Sequence, residues 1–543
     1  MERYICIHGH FYQPPRENPW LEAVETQDSA HPYHDWNERI TVECYEANAT
    51  SRILDSADRI QSIVNNYSSI SFNFGPTLLS WLEAKAPQTY EAVIEADRVS
   101  RERFGGHGCA IAQTYNHIIL PLANDRDKQT QVRWGIRDFQ SRFGRRPEGM
   151  WLGETAVDIA SLEALAAEDI VFTILEPGQA ARFRAIGSEQ WISANGSLSP
   201  TTPYLCQLPS GRSIAIFFYD GPISRGVAFE KLLARGENFA HRLTGAFADS
   251  VRRPQLVNIA TDGETYGHHH RHGEMALAYA LQYIEERSLA KIINYAQFLE
   301  IHPPVCEVEI TERTSWSCAH GVERWRSDCG CSTGGGTGWN QRWRAPLREA
   351  LDWLRDETVA IFERESAGLL RDPWQARDEY IDVILNRAEN NVDTFLAKHS
   401  IGGNQVRVLQ LMEMQRNAML MFTSCGWFFN DISGIESVQV LQYAGRCIQL
   451  AQQLSGRDLE PEFLSQLRGA QSNIKEQGSA REIYEREVIP SRLDLRRVAA
   501  HYAVASLFDN FDDEARIYCY DVIRHDIEIQ KAGRARIAAG SLT

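Results

Sequence analysis

Two carboxylates stand where apolar runs end. Glu154 follows Gly149-Met150-Trp151-Leu152-Gly153, and Asp262 follows Leu256-Val257-Asn258-Ile259-Ala260-Thr261. Beyond Asp262, residues 256–272 gather Glu264, Tyr266, His268, His269, His270 and His272 around Gly263 and Gly267. Cleaving a glycosidic bond needs two carboxyl groups flanking it, one to protonate the leaving oxygen and one to attack or to activate water. Alone, each carboxylate reads more often as a structural hydrogen-bond partner, and 256–272 as a solvated polar loop. Together, at two strand ends, they favour chemistry.

The histidines carry a rival reading. His8-x-His10 with His268-x3-His272 could chelate a divalent metal, as in a polysaccharide deacetylase-like hydrolase, since i and i+4 share a helix face. Against this, no strand end offers the Asp-Asp pair that such deacetylases use. A third reading, a carbohydrate-binding protein without turnover, leaves both carboxylates idle. Further along, Cys318, His320, Cys329 and Cys331 supply four ligands for a structural zinc, although each pair is spaced by one residue, tighter than the usual two to four. The alternative there is a glycine-rich flap with free thiols. Two-carboxylate chemistry itself requires no cofactor.

The elements that must position these groups are legible as seven short apolar runs: Tyr4–Ile7, Ile70–Phe74, Cys109–Ala112, Gly149–Leu152, Ile170–Leu175, Ile214–Tyr219 and Leu256–Ala260. Amphipathic stretches separate them. Residues 51–64 place Ile53, Leu54, Ile60, Ile63 and Val64 on a helical face, and residues 162–170 and 275–284 do the same. Strands alternating with helices imply a parallel sheet. The expectation is an α/β fold, an incomplete seven-stranded parallel (β/α)7 barrel over residues 1–304, with an open doubly wound sheet as the alternative. Chemistry belongs at the carboxyl ends of such strands. Those ends carry His8, His10, Phe11 and Tyr12; Gln113, Tyr115 and His117; Trp151 and Glu154; Glu176; Tyr219 and Asp220; and Asp262.

Residues 305–345 form a Cys/Trp/Gly-rich loop with Trp316, Trp325, Trp339 and Trp343. From 346 to 543 the pattern reads as an α-helical C-terminal domain, with Tyr380, Ile381, Ile384, Leu385, Val392, Phe395 and Leu396 at i, i+3, i+4 intervals. The 543 residues hold 56 Lys plus Arg against 72 Asp plus Glu, a net charge of −16. That acidity argues against nucleic acid and anionic membrane as partners and suits a neutral carbohydrate. The 13 Trp and 19 Tyr suit sugar faces and cores alike. An odd count of 11 cysteines, no secretory signal and no stretch of membrane-spanning length point to reduced thiols in the cytoplasm. Nothing in the sequence fixes an oligomeric state.

Four motifs in order make the reading specific: His8-Gly9-His10-Phe11-Tyr12-Gln13-Pro14, Gly106-His107-Gly108-Cys109-Ala110-Ile111-Ala112-Gln113, Gly149-Met150-Trp151-Leu152-Gly153-Glu154 and Asp262-Gly263-Glu264-Thr265-Tyr266-Gly267-His268. They resemble the conserved regions of glycoside hydrolase family 57. Ser424-Cys425-Gly426-Trp427-Phe428-Phe429-Asn430-Asp431 corresponds loosely to its fifth region. The resemblance implies a retaining mechanism on α-glycosidic bonds of α-glucan-type oligo- or polysaccharides, by hydrolysis or transglycosylation. Carried over, Glu154 is the nucleophile and Asp262 the general acid/base, their carboxyl groups about 5–5.5 Å apart. Asp262 then needs a raised pKa, from burial against Tyr266 and Trp151. His10, Trp20, His107, Gln113, Trp151, Asp220, Glu264, His268 and Trp427 are the expected substrate-binding residues; core packing is the competing role. The first motif departs from the family pattern in placing Phe11-Tyr12 between His10 and Gln13, which bears on subsite shape. The family includes amylases, glucanotransferases, branching enzymes and an α-galactosidase, so resemblance leaves linkage and acceptor open.

Overall fold

The computed structural model describes residues 2–509 and 511–543. Each of the seven apolar runs contributes a strand: β1 (Arg3–Phe11), β2 (Ser71–Phe74), β3 (Ala112–Gln113), β4 (Met150–Trp151), β5 (Phe172–Leu175), β6 (Ser213–Phe218) and β7 (Gln255–Asp262). The runs are mostly apolar because parallel strands are covered on both faces; in β1 every residue from Tyr4 to Phe11 is buried.

The pairings follow the chain. β1 pairs in parallel with β2 from His8↔Ser71 to Phe11↔Phe74. A bridge at Phe72↔Ala110 leads to β3, which pairs with β4, and Gly149↔Phe172 leads to β5, which pairs with β6. β7 then returns beside β1, in register from Arg3↔Gln255 to His10↔Asp262. The order β7-β1-β2-β3-β4-β5-β6 has no reversal of the kind that marks a doubly wound sheet. It is a barrel-type sheet, and its seam falls between β6 and β7. There, among the described residues, single contacts replace a ladder: the Asp220 N–H donates to Asn258 O at 2.7 Å, and Asn258 Nδ2 to Phe218 O at 3.1 Å. Lys291–Ile292 adds two further residues parallel to β1 at Tyr4 and Ile5.

Three segments differ from the sequence expectation. Residues 51–64 form an antiparallel hairpin, Ser51–Leu54 against Ile60–Val64, where helical spacing predicts a helix. Asp55 decides this: its Oδ1 accepts from the N–H groups of Ala57 and Arg59 at 2.8 and 3.0 Å, closing a turn that a helix would have to open. Between β5 and β6 the chain adds Ala180–Ala185, Ile192–Ser193 and Tyr204–Gln207, which with Cys306–Ile310 extend the sheet past β6. Only the remainder of residues 305–345 is the irregular loop expected, interrupted by a turn at Glu323–Trp325.

Beyond it the chain is mainly helical. Arg344–Glu365, Gln405–Leu420 and Ile435–Ser455 pack together, the last ending at Gly456 in the left-handed region with φ 71°. The chain ends in an antiparallel meander, Glu514–Ile517, Tyr520–Ala532 and Ala535–Leu542, where helix was expected. The barrel and the helices share one continuous core, from Ile5 to Val488.

Candidate active site

Glu154 sits where β4 stops. Its backbone lies in the left-handed region, φ 58° and ψ 24°, followed by Thr155 at φ 49°. Such conformations in non-glycine residues cost about 1–3 kcal/mol each and persist only when surroundings enforce them. Enforcement comes from two directions. Gln179 Nε2 donates to Thr155 O at 2.8 Å, and the Trp316 N–H donates to Thr155 Oγ1 at 3.0 Å and Glu154 O at 3.2 Å. Gly153 presses against the neighbouring strand end, where a Cβ would lie 2.8 Å from Ile118 O. The side chain is fixed as well: Glu154 Oε2 accepts from Ser317 Oγ at 2.6 Å and Trp316 Nε1 at 3.0 Å. Burial raises the Glu154 pKa above the ordinary carboxylate value, and these two donors pull it back.

Asp262 ends β7, its backbone in register with His10. The residue keeps exposed surface, yet its carboxyl is densely surrounded by protein. Burial, then the neighbouring Glu154 charge, push it up to about 7. No donor reaches it among the described residues. The environments thus treat the two acids unequally: two donors favour the ionised form of Glu154, and none does so for Asp262.

Between them lies a ladder of rings. Trp151 stacks on both His8 and His10, each with centroids 4.9 Å apart. His10 stacks on His117 and Tyr12, and Tyr12 lies 3.9 Å from His117. Trp316 stands edge-on to Trp151, His10 and Tyr219. Burial drives His8 and His10 down to about 3 and His117 well below its ordinary value, so all three are neutral. One assignment of protons satisfies the whole network. Ser71 donates to His8 Nδ1, and His8 Nε2 to Asn73 Oδ1. Asn73 Nδ2 donates to Gln113 Oε1 at 2.8 Å and His10 Nδ1 at 2.9 Å. His10 Nε2 then donates to His117 Nε2 at 3.1 Å, and His117 Nδ1 to Ser424 Oγ at 2.7 Å. Gln113 Nε2 and Trp151 Nε1 are buried without partners among the described residues.

Of the residues the sequence points to, Glu154, Asp262, His10, Gln113 and Trp151 lie together at the carboxyl ends of the strands, around this ladder. Glu264 is buried beside it, accepting from Tyr45 Oη at 2.6 Å and the Tyr12 N–H at 2.9 Å, with burial pushing it up to about 8. His268 is engaged by the Glu43 carboxylate and lies edge-on to Trp36. Asp220 caps the helix Gly221–Phe229 through the Ile223 N–H.

Three others are placed elsewhere. His107 precedes its strand and stands at the amino end of the barrel, between Glu148 at 2.8 Å and Glu300 at 3.1 Å. Trp20 is buried with its Nε1 donating to Gln449 Oε1 at 2.7 Å, and its ring meets Gly445 of the helical region. Trp427 is buried in parallel with Phe422, its Nε1 donating to Arg344 O at 3.2 Å. These last two are core residues where barrel and helices meet. The proposed metal ligands His8, His10, His268 and His272 do not form a metal-holding group among the described residues; the ladder occupies the first two, Glu43 the third, and His272 is exposed near Glu274. The group that does meet that description is Cys318, His320, Cys329 and Cys331.

The site also holds Tyr12, Asn73, His117, Ser424 and Ser317, to which the sequence assigns no role. Tyr12 and His117 carry a signal, as aromatic groups at strand ends. Ser317 carries none, because its importance lies wholly in a contact across 163 residues.

Two unlike carboxyls thus stand at the carboxyl edge of a barrel-type sheet, an arrangement of the kind that glycoside cleavage can use. The family model described as glycosyl hydrolase family 57 matches residues 6–311, more than half of the chain, and the chain belongs to that family. A second model, described as a domain of unknown function (DUF3536), matches residues 339–543. "Alpha-amylase 1" of Dictyoglomus thermophilum is 28% identical over 199 residues, 36% of this chain and 26% of that protein. The chain therefore spans about a quarter of that curated relative. Among solved structures, an exo-type maltose-forming amylase from Pyrococcus sp. ST04 has a TM-score of 0.66 at 14% identity, covering 86% of this chain and 83% of that one. A GH57-type branching enzyme from Pyrococcus horikoshii has a TM-score of 0.52 at 15% identity, covering 91% of this chain and 97% of that one. Both likenesses concern the fold.

Proposed function

We propose that this chain is a retaining enzyme on α-glucan-type oligo- or polysaccharides, built on a (β/α)7 barrel, with Glu154 as nucleophile and Asp262 as general acid/base. The observation that carries the reading is the unequal treatment of the two acids, one given two donors and the other given none. In the first step the Asp262 carboxyl protonates the glycosidic oxygen while Glu154 Oε1, which has no partner among the described residues, attacks the anomeric carbon. The carbon–oxygen bond breaks and a glycosyl ester of Glu154 forms. The Asp262 carboxylate then takes a proton from water or a sugar hydroxyl, which attacks the same carbon and frees Glu154. Retention follows from two inversions at one centre. The step requires no cofactor.

The names of the relatives, amylases and a branching enzyme, support an α-glucan as substrate and leave hydrolysis and chain transfer both open. Tyr12 and Trp316, both partly exposed, supply ring surface for sugar, while Trp151, His10 and Gln113 are buried and hold the ladder behind them. We place the catalytic unit at residues 1–304 with the added strand Cys306–Ile310, the Cys/Trp/Gly-rich loop in the rest of 305–345, and a mainly helical unit with its terminal meander at 346–543. The net charge of −16 and the free thiols suit a cytoplasmic protein with no nucleic-acid partner. No helix among the described residues is long and apolar enough to cross a membrane. The test incubates wild type and Glu154→Gln with maltooligosaccharides, glycogen and α-galactosides and follows product size by chromatography. Redistribution of chain lengths indicates transfer, and steady shortening indicates hydrolysis. Equal activity in the variant overturns the nucleophile assignment.

A further inference from the structure

We propose that Cys318, His320, Cys329 and Cys331 bind one zinc ion, and that this ion positions the donors that hold Glu154. The four ligand atoms lie within 4.8 Å of one another. Tetrahedral zinc with Zn–S of about 2.3 Å and Zn–N of about 2.0–2.1 Å separates two sulfurs by about 3.8 Å, and sulfur from nitrogen by about 3.5 Å. Here Cys318 Sγ and Cys329 Sγ are 3.9 Å apart, and Cys331 Sγ and His320 Nδ1 3.6 Å. A disulfide needs about 2.05 Å. The spacing is therefore that of ligands around an ion, and it arises although each pair is separated by a single residue in sequence.

A second observation is independent of the first. Arg344 is fully buried, and among the described residues its guanidinium contacts no carboxylate, its partners being Cys329 Sγ and the carbonyl oxygens of Cys331, Phe428 and Phe429. Its Nη1 lies 4.0 Å from Cys329 Sγ and donates to Cys331 O at 3.0 Å; its Nε has no partner among the described residues. A buried guanidinium without a counter-charge is costly. Three thiols that surrender their protons to Zn2+, with a neutral imidazole, make a centre of net charge −1 beside it. The cationic side chain and the metal centre then neutralise each other.

The consequence for the carboxylate follows from chain order. Cys318 comes directly after Trp316 and Ser317, whose side chains donate to Glu154 Oε2. A bridge at Val157↔Thr314 and a turn at Ser315↔Cys318 leave this segment little slack between barrel and metal centre. Gly321 closes the turn at φ 83°, accepting from Ser315 Oγ at 2.6 Å, where a Cβ would lie 2.3 Å from Arg313 O. Zinc is thus a positioning element for Glu154 and no participant in bond cleavage. The positioning part rests on the assignment of Glu154 proposed above; the metal site itself does not.

The test measures metal in the full-length protein purified under reducing conditions without chelator. The expected result is one zinc per chain. Cobalt added after chelator treatment should give thiolate charge-transfer bands and the visible bands of a tetrahedral ion. Cys329→Ser/Cys331→Ser should lose the metal, His320→Cys should keep it, and Ser317→Ala should keep it. Metal-free protein should show kcat on a glucan lowered about 10- to 100-fold with KM little changed, the expected effect of losing a hydrogen bond to a charged group. Zinc alone should restore it. Protein that purifies without zinc and gives no cobalt bands overturns the site, whatever its activity. So does equal zinc in wild type and the double Cys variant. Protein that holds one zinc but keeps its kcat when stripped overturns the positioning role alone.

Discussion

Ser317→Ala removes one of the two donors to Glu154 Oε2, a 2.6 Å contact, and leaves Trp316 Nε1 in place. Hydrogen bonds to charged groups contribute about 1.5–3 kcal/mol. At about 1.4 kcal/mol per pKa unit, the loss raises the Glu154 pKa by roughly 1–2 units. The sign is definite: the donor favours the ionised form, so removal makes the carboxylate harder to form. Glu154 must be charged to attack and Asp262 must be protonated to assist, so activity against pH is a bell. Its acid limb belongs mainly to Glu154, and its alkaline limb to Asp262 near pH 7. In the variant the acid limb should move up by about 1–2 units while the alkaline limb stays, narrowing the bell and lowering its summit. The assay is kcat/KM for a chromogenic maltooligosaccharide across pH, with circular dichroism to show an intact fold. An acid limb that stays in place, or an alkaline limb that moves instead, refutes the assignment of the charged acid.

Glu264 is buried with its pKa pushed from 4.5 to about 8, so folding binds a proton there. Its contribution to stability is full below about pH 4.5 and declines as pH rises towards 8; Glu264→Gln should flatten the fall of Tm over that window, and an unchanged slope would contradict the burial argument. Trp427→Ala should cost about 3–5 kcal/mol of stability and leave KM, measured well below the Tm, within twofold. A raised KM at unchanged Tm would return Trp427 to the sugar site. His107→Ala should leave kcat and KM near wild type because its partners Glu148 and Glu300 stand at the amino end of the barrel; a selective loss of kcat would show that the ring reaches the chemistry.

The strands were legible because a parallel strand buried on both faces is mostly apolar, as Tyr4–Ile7 is throughout and Leu256–Ala260 is at every position but Asn258. The hairpin at 51–64 was not, since its apolar residues also fit a helical period and only the Asp55 turn breaks the tie. The terminal meander was hidden for the opposite reason: with little of its surface buried, the strand Tyr520–Ala532 lacks a clean alternation of apolar and polar residues. At the site, Glu154 and Asp262 announced themselves as acids at strand ends. His107 was drawn in by its motif, yet the motif runs the length of a strand; at about 3.3 Å per residue, six residues carry His107 and Gln113 to opposite ends of the barrel. Trp316, Ser317 and Ser424 come from beyond the barrel, and no local pattern records which loop folds back over which strand.

The roles of the two acids are tested most directly by azide rescue with an activated α-glycoside. Removing the nucleophile opens the β face to a small anion, whereas removing the acid/base leaves a glycosyl ester that azide attacks from the α face. Glu154→Ala with azide should therefore yield the β-glycosyl azide, and Asp262→Ala the α-glycosyl azide. An α-azide from Glu154→Ala, or turnover by that variant without azide, would contradict the account.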